Sequence, residues 1–429
     1  MSFENNFCPS PWFHMKIDPQ GHFRPCRWMA STHNAYEGNI RTDSLEEYFQ
    51  EKMAPLREQL LDGHRPGMCD DCFHMEEHGK ISGRQKQLLK IGVNQQIFEK
   101  TFLSSPMIES FHHSKKSQGR TDLIPQDWQV DLGNYCNSAC LFCKPEYSSR
   151  LATEYKNLKI INQLPIPAWS DDPKLVKKFC DFLSSTSNLA YLHLLGGETL
   201  IMPSFKIILQ NLIDNGLVDT HIGFTTNLTV WPEDVIELLC KFKNVHVGLS
   251  IECLHPLNDY VRWPSKLDQV KSILDRWVEL SKMQGWFVQI RATPNCFTLL
   301  HVDTIYKYAY DNNIGFETCN FIERPVEMRI NALPTDLMEK AKEKIKNFLD
   351  SHPGHDFKNS IINTRNSSTT KQQVWEDARS YFNYLENETH SPEILLKLVA
   401  FLKLFESNRK NSVIDYAPEY EKFLRSAGY

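Results

Sequence analysis

The chain has 429 residues, 41% hydrophobic and 24% charged, with 48 Lys and Arg against 53 Asp and Glu for a net charge of −5. This is an ordinary globular composition, long enough for roughly two to four domains. It holds no apolar run near the ~18 residues of a membrane span, and its acidic balance removes the electrostatic argument for nucleic acid as a partner. The opening MSFENNFCPSPWF has no basic stretch followed by an apolar one, so no secretory leader is expected and the expected location is the cytoplasm.

In a reducing compartment twelve cysteines read as metal ligands or reactive thiols rather than as a disulfide framework. Four of them, Cys8, Cys26, Cys69 and Cys72, fall in residues 1–78, a segment rich in Cys, His, Pro and aromatics. It is short of long periodic helices, the kind of segment whose core a metal supplements. Cys8 and Cys26 form a C-x12-G-x4-C pattern around Gly21. The Pro-Trp and Pro-x-Gly elements predict a hairpin that brings these two thiols together, and Cys69-x2-Cys72 supplies a second pair. Four thiolates suit either tetrahedral zinc or a fully ligated iron–sulfur cluster, and spacing alone leans to zinc. His74 and His78 lie four apart on an expected helix and read as a solvated face. Residues 79–126 read as a connector, with HHSKKSQGR at 112–120 as an exposed loop.

From residue 127 short apolar or β-branched runs alternate with longer amphipathic stretches. The expected strands are 128–132, 191–195, 222–225, 245–251, 287–292 and 315–321, and helices are expected at 203–215, 232–241, 267–283 and 300–312. Pro203 and Pro232 suit first helical turns. This alternation predicts an α/β fold of six βα units over residues 127–333, two strands short of a closed eight-stranded barrel, with function at the C-terminal ends of the strands. Residues 334–429 read as a helical C-terminal extension, with helices at 335–350 and 391–407 and a mobile loop around NSIINTRNSSTTKQQ. Trp231, Trp263 and Trp286 read as packing.

Directly after the first strand comes Cys136-Asn137-Ser138-Ala139-Cys140-Leu141-Phe142-Cys143. Three thiolates on one loop suit three irons of a cubane cluster, leaving the fourth iron open; a zinc site lacking one protein ligand is the alternative. CNSACLFC resembles the CxxxCxφC signature of radical S-adenosylmethionine (SAM) enzymes, with Phe142 as the aromatic residue. Gly196-Gly197-Glu198 after strand two resembles the family's GGE motif, with Thr199 where the family often has Pro. Thr225-Thr226-Asn227 ends strand three and Ser250-Ile251-Glu252 ends strand four, as pocket-lining segments do in this family.

The resemblance implies a partial (β/α)6 radical SAM barrel whose loop cysteines hold a [4Fe–4S] cluster that binds SAM. It implies SAM contacts from Phe142, Gly196, Gly197, Glu198, Thr226, Asn227, Ser250, Arg262 and Asn295. The amino-terminal C-x12-G-x4-C, with its CPxPW opening, resembles the SPASM/twitch auxiliary-cluster domain of the same enzymes, placed here before the barrel rather than after it. That implies a small auxiliary [4Fe–4S] domain, with zinc as the other reading of Cys8, Cys26, Cys69 and Cys72. The function implied is reductive cleavage of SAM to a 5′-deoxyadenosyl radical that takes a hydrogen atom from a substrate. Relatives point first to a peptide or protein substrate and second to an amino acid, nucleoside or sugar, with flavodoxin or ferredoxin as electron donor. A non-catalytic iron–sulfur or zinc protein is the distant alternative. Cys253, Cys296 and Cys319 fall near the ends of strands four to six, and Cys319 is the preferred candidate hydrogen-atom donor.

Overall fold

The structure is a computed structural model that describes residues 6–27, 29, 38–77, 82–90, 106–186, 189–318, 322, 324–352 and 367–429. Nine strands follow the sheet order β3-β2-β1-β4-β5-β6-β7-β8-β9. They are β1 (His14–Ile17), β2 (His22–Arg24), β3 (Gly38–Asn39), β4 (Asp127–Asp131), β5 (Tyr191–Leu195), β6 (His221–Thr226), β7 (Val245–Ser250), β8 (Phe287–Ala292) and β9 (Gly315–Thr318). The last six are the strands expected from periodicity, within a residue or two at their starts. β9 ends at Thr318, and Cys319 to Phe321 lie outside the described residues. The chain forms two compact units, one of Met1–Gly133, Ile166–Gly196 and Pro203–Ile222, the other of Asn134–Pro165, Gly197–Met202 and Gly223–Tyr429.

In the first unit β1 and β2 form the expected antiparallel hairpin. Its turn needs Gly21: φ is +90°, a region a side chain rarely adopts, and a Cβ there would stand 2.8 Å from Ile40. Asp18 closes the turn by accepting from the backbone of Gln20 and His22 at 3.0 and 2.9 Å. β1 also pairs in parallel with β4, His14 opposite Asp127 and Ile17 opposite Val130, so the cysteine-rich segment adds strands to the barrel sheet. Helices α1 (Ala54–Leu61), α2 (Asp70–Glu77), α3 (Gly83–Lys90) and α4 (Pro106–Lys116) follow. The stretch read as an exposed loop at 112–120 is therefore helical as far as Lys116. Its Ser114 is buried and accepts from Trp12 Nε1 at 2.9 Å, while Phe111 packs edge-on against Trp12 at 5.0 Å. Alternation along a helix explains the misreading: His112, His113, Lys115 and Lys116 point outward and hide a buried stripe.

The second unit carries α5 (Ser149–Asn157), α8 (Glu233–Leu239), α9 (Leu257–Val261), α10 (Leu267–Gln284) and α11 (Asp303–Asn312); α6 (Pro173–Ser185) and α7 (Pro203–Asp214) belong to the first. β7, β8 and β9 are parallel, with Ser250 opposite Arg291 and Arg291 opposite Glu317. Period-two alternation sends Phe224, Val247, Leu249, Val288 and Ile290 to a buried face, where Phe224 meets Trp277 of α10 at 5.7 Å. The C-terminal extension forms α12 (Thr335–Ser351), α13 (Ser367–Glu386) and α14 (Pro392–Arg409). α13 was not expected, because its first residues belong to the polar stretch read as a loop. Val374, Ala378, Tyr381 and Leu385 form its buried stripe. Among the described residues no helix is long and apolar enough to cross a membrane.

Candidate active site

The three-cysteine loop leaves β4 and runs into α5, and both ends of that path are pinned. Ser148 caps α5, accepting from Leu151 N at 3.1 Å, and its hydroxyl reaches back to Ser138 O at 2.6 Å. Ser149 N donates to Asn134 O, and its hydroxyl accepts from Cys136 N at 3.2 Å. On the far side Ala139 N donates to Trp263 O and Leu141 N to Val261 O, both at 2.8 Å. Cys136, Cys140 and Cys143 are half-buried and close enough to shift one another. Burial, followed by the charge of Cys140, pushes Cys136 and Cys143 up to about 12, and burial also raises Cys140 against the pull of Arg262. The bare thiols are therefore protonated near neutral pH, and metal loading displaces protons from them.

Arg262 is the main cationic neighbour. Its Nη1 stands 3.9 Å from Cys140 Sγ, and its guanidinium lies 5.3 Å from the Phe142 ring centre. Its other nitrogens bind Glu252 Oε1, with Nε at 3.0 Å, while Glu252 Oε2 accepts from Thr293 N. Arg262 and Phe142 thus come together at the cluster loop, and Glu252, expected as part of a pocket-lining strand end, holds Arg262 there.

Gly197 answers a steric need: a Cβ would lie 2.3 Å from Tyr135 O, at the entrance of the cysteine loop. Glu198 N donates to that same carbonyl at 2.9 Å. The Glu198 side chain is fully buried, and its oxygens accept from Asn227 N and, at 3.3 Å, from Leu200 N. Burial pushes it up to about 7 despite these bonds and the Thr226 hydroxyl. The carboxylate braces the loop after β6, and Gly197 lets its backbone lie against that of Tyr135. Asn227 then ties that loop to the cysteines: Nδ2 donates to Asn137 Oδ1 at 2.8 Å and Ser138 Oγ at 3.0 Å, and Oδ1 accepts from Thr229 N at 3.0 Å. Asn137 and Ser138 inside the signature, and Thr229, were not singled out in the sequence. Only their long-range pairing gives them a role.

Ser250 is half-buried at the end of β7. On its face of the sheet Arg291 donates to Glu317 Oε2 through Nε and Nη2 at 3.1 and 2.8 Å, and to Thr225 Oγ1 at 3.3 Å. Gln289 adds a bond to the same Glu317 oxygen at 3.1 Å. Thr225 was expected to line the pocket, whereas Arg291 and Gln289 were missed, because a polar or charged residue in a strand reads as an outward one. Asn295 is buried, with Oδ1 accepting from Phe297 N and Thr298 N at 3.1 and 3.2 Å, so it shapes a turn. Cys253 and Cys296 have no exposed surface. The three tryptophans do not form one surface: Trp231 lies against Trp277 and Arg276, Trp263 under Arg150 and Arg409, and Trp286 is buried.

In the first unit Cys8, Cys26, Cys69 and Cys72 line one cavity, as the two-pair pattern requires. Leu56, Leu60, Met29, Met68 and Phe73 make much of the rest of its wall, and Arg84 reaches it from α3. Burial pushes Cys8 up to about 11, and burial plus the charges of Cys8, Cys26 and Cys72 push Cys69 further. Four converging thiols in an apolar cavity fit a fully ligated metal centre. Likewise three thiols on one loop, with Arg262 beside Cys140, fit a cluster with one open iron. His74 is exposed on α2, and His78 lies outside the described residues.

Comparison with known proteins finds two domain families along the chain. Residues 130–284 match the Radical SAM superfamily, and residues 8–73 match SPASM, an iron–sulfur cluster-binding domain. Among solved structures the chain is similar to Streptococcus suis SuiB bound to precursor peptide SuiA, at 14% identity over 80% of this chain and 70% of that one, TM-score 0.39. It is similar to SuiB bound to S-adenosylmethionine at 13% identity over 82% and 71%, TM-score 0.35. Native anSMEcpe with bound AdoMet shares 18% identity over 51% of this chain and 57% of that one, TM-score 0.35. No curated protein matches the chain. The two domain matches together span more than half of the 429 residues, and the protein is a radical SAM enzyme that carries an iron–sulfur SPASM domain ahead of its radical SAM domain.

Proposed function

We propose that this enzyme modifies a peptide or protein by hydrogen-atom abstraction. In this reading Cys136, Cys140 and Cys143 hold the SAM-binding [4Fe–4S] cluster, and Cys8, Cys26, Cys69 and Cys72 hold the auxiliary one. The observation that carries the reading is the braced loop, with three thiols on one backbone and a buried guanidinium 3.9 Å from the middle one. When bound, the cluster and SAM together supply the 5′-deoxyadenosyl radical that removes a substrate hydrogen atom. The chain's own residues position and insulate. Arg262, held by Glu252, balances thiolate charge at Cys140. Gly197 lets a ligand approach the backbone, and Glu198 with Asn227 fixes the loop it approaches. Arg291, Glu317 and Thr225 offer donors and acceptors that orient polar groups of a substrate.

The SPASM match supports the peptide reading through the resemblance it extends, since the relatives that the resemblance implies modify mostly peptides or proteins. The test is isotope transfer. The reconstituted enzyme, SAM and dithionite are incubated with uniformly deuterated short peptides encoded beside its gene, or with deuterated free amino acids and nucleosides. Deuterium in 5′-deoxyadenosine and a mass change in the peptide are expected. Transfer from the small molecules alone would replace the peptide reading with a metabolite one.

A further inference from the structure

An arginine in the last turn of a helix ordinarily reaches into solvent beside the free carbonyls. Arg409, which ends α14 in the C-terminal extension, does not: its side chain is 2% exposed. Nε and Nη2 form a fork on Glu154 of α5 at 2.8 and 2.6 Å, and Nη2 also donates to Ala139 O at 2.7 Å, in the middle of the cysteine loop. The guanidinium lies 5.0 Å from the Trp263 ring centre, and Trp263 O accepts from Ala139 N. Arg409 and its stacking partner therefore hold both backbone groups of Ala139. Arg150, 4.6 Å from the same ring, donates to Asn137 O at 3.2 Å. The rest of α14 is anchored nearby, with Asn408 Nδ2 on Glu154 at 3.0 Å and Glu406 accepting from Tyr260 OH at 2.8 Å.

One atom of this arrangement is left over. Arg409 Nη1 is buried without a hydrogen-bond partner among the described residues. A buried donor on a charged group is rarely left unpaired, because desolvation without a replacement bond is unfavourable. The Ala139 carbonyl that Nη2 holds belongs to the residue directly before Cys140. A group bound by the cysteine loop would supply the acceptor that Nη1 lacks.

We propose that Arg409 is a positioning residue for the catalytic cluster, clamping the cysteine loop through Ala139 and donating from Nη1 to a sulfur of the bound cluster. This rests on the assignment of Cys136, Cys140 and Cys143 as its ligands. The C-terminal extension is then a working part of the cluster site. An N–H donor to a cluster sulfur favours the more negative, reduced state, so its loss lowers the reduction potential.

The experiment is an anaerobic redox titration of the reconstituted enzyme followed by EPR with and without SAM. The SAM-responsive signal reports the loop cluster, separately from the auxiliary one. Arg409→Gln is expected to lower the midpoint of the SAM-responsive signal and to reduce its intensity several-fold, with the SAM-insensitive signal unchanged. Arg409→Lys, which restores the charge but not the fork, is expected to lie between wild type and Arg409→Gln. If circular dichroism shows that Arg409→Gln does not fold, Arg409→Lys decides, and a midpoint below that of wild type supports the proposal. Wild-type midpoint and lineshape in every folded variant would overturn it. A wild-type enzyme with no SAM-responsive signal would overturn the ligand assignment beneath it.

Discussion

Asn227 links the loop after β6 to the cysteine loop through two side-chain bonds, to Asn137 Oδ1 at 2.8 Å and Ser138 Oγ at 3.0 Å, and accepts from Thr229 N within its own loop at 3.0 Å. Each such bond contributes about 1 kcal/mol, and stranding Asn137 or Ser138 adds to the loss. Asn227→Ala is expected to weaken SAM binding roughly tenfold or more, since about 1.4 kcal/mol corresponds to a factor of ten. Isothermal titration on iron-loaded protein measures this, and unchanged affinity would mean that the loops hold their places without it. A second residue-scale case is His301. Its ring stacks on His255 at 3.7 Å with planes 7° apart, and its Nε2 lies 3.2 Å from Glu419. The three side chains bring ligand atoms within 4.8 Å of one another, but two parallel ring planes cannot both contain one ion, so this cluster is not a metal site as it stands. Burial, then the charge of His255, pulls His301 down to about 4 from its ordinary 6.5, outweighing Glu419. A lowered histidine takes up its proton more readily in the unfolded chain, so stability is complete above about pH 6.5 and falls toward pH 4. Thermal melts between pH 5.5 and 7.5 are expected to show this slope, and His301→Gln to flatten it.

At the scale of elements, the segment that carries the auxiliary cysteines is held by a buried cation whose hydrogen bonds go to backbone carbonyls. Arg57 of α1 donates to the carbonyls of Pro11 at 2.8 Å, Gln50 at 3.2 Å and Gly119 at 3.3 Å, and also to Phe49. It joins the start of the chain, the helix and the turn after α4. Arg57→Ala leaves four carbonyl acceptors without their donor, a loss of about 1–3 kcal/mol for each that stays out of water. At a few degrees per kcal/mol, a melting point lower by about 6 °C or more is expected, with auxiliary iron lost before loop iron. A normal melting point in Arg57→Ala would contradict that role. Much of the architecture was legible: alternating periods placed β4 to β9, and the spacing around Gly21 forecast the hairpin that brings Cys8 and Cys26 to one cavity. What escaped depends on partners far away in sequence. β1 beside β4 spans more than a hundred residues, and Arg409 on Glu154 spans 255, distances over which no local pattern carries a signal. Helices α4 and α13 escaped because polar outward faces masked their buried stripes.

For the whole molecule, the family match and the two cysteine sites together predict two cubane clusters. Roughly eight irons per reconstituted chain are expected, falling to about four when Cys136, Cys140 and Cys143 are replaced by Ala. Stoichiometric zinc and no iron in that variant would contradict the auxiliary cluster. The most direct test of the central claim is SAM cleavage itself. Anaerobically reconstituted wild-type enzyme with dithionite is predicted to convert SAM to 5′-deoxyadenosine and methionine, and the triple alanine variant to form none. Wild-type enzyme with its full iron complement that yields no 5′-deoxyadenosine, with or without peptides, would contradict the radical assignment.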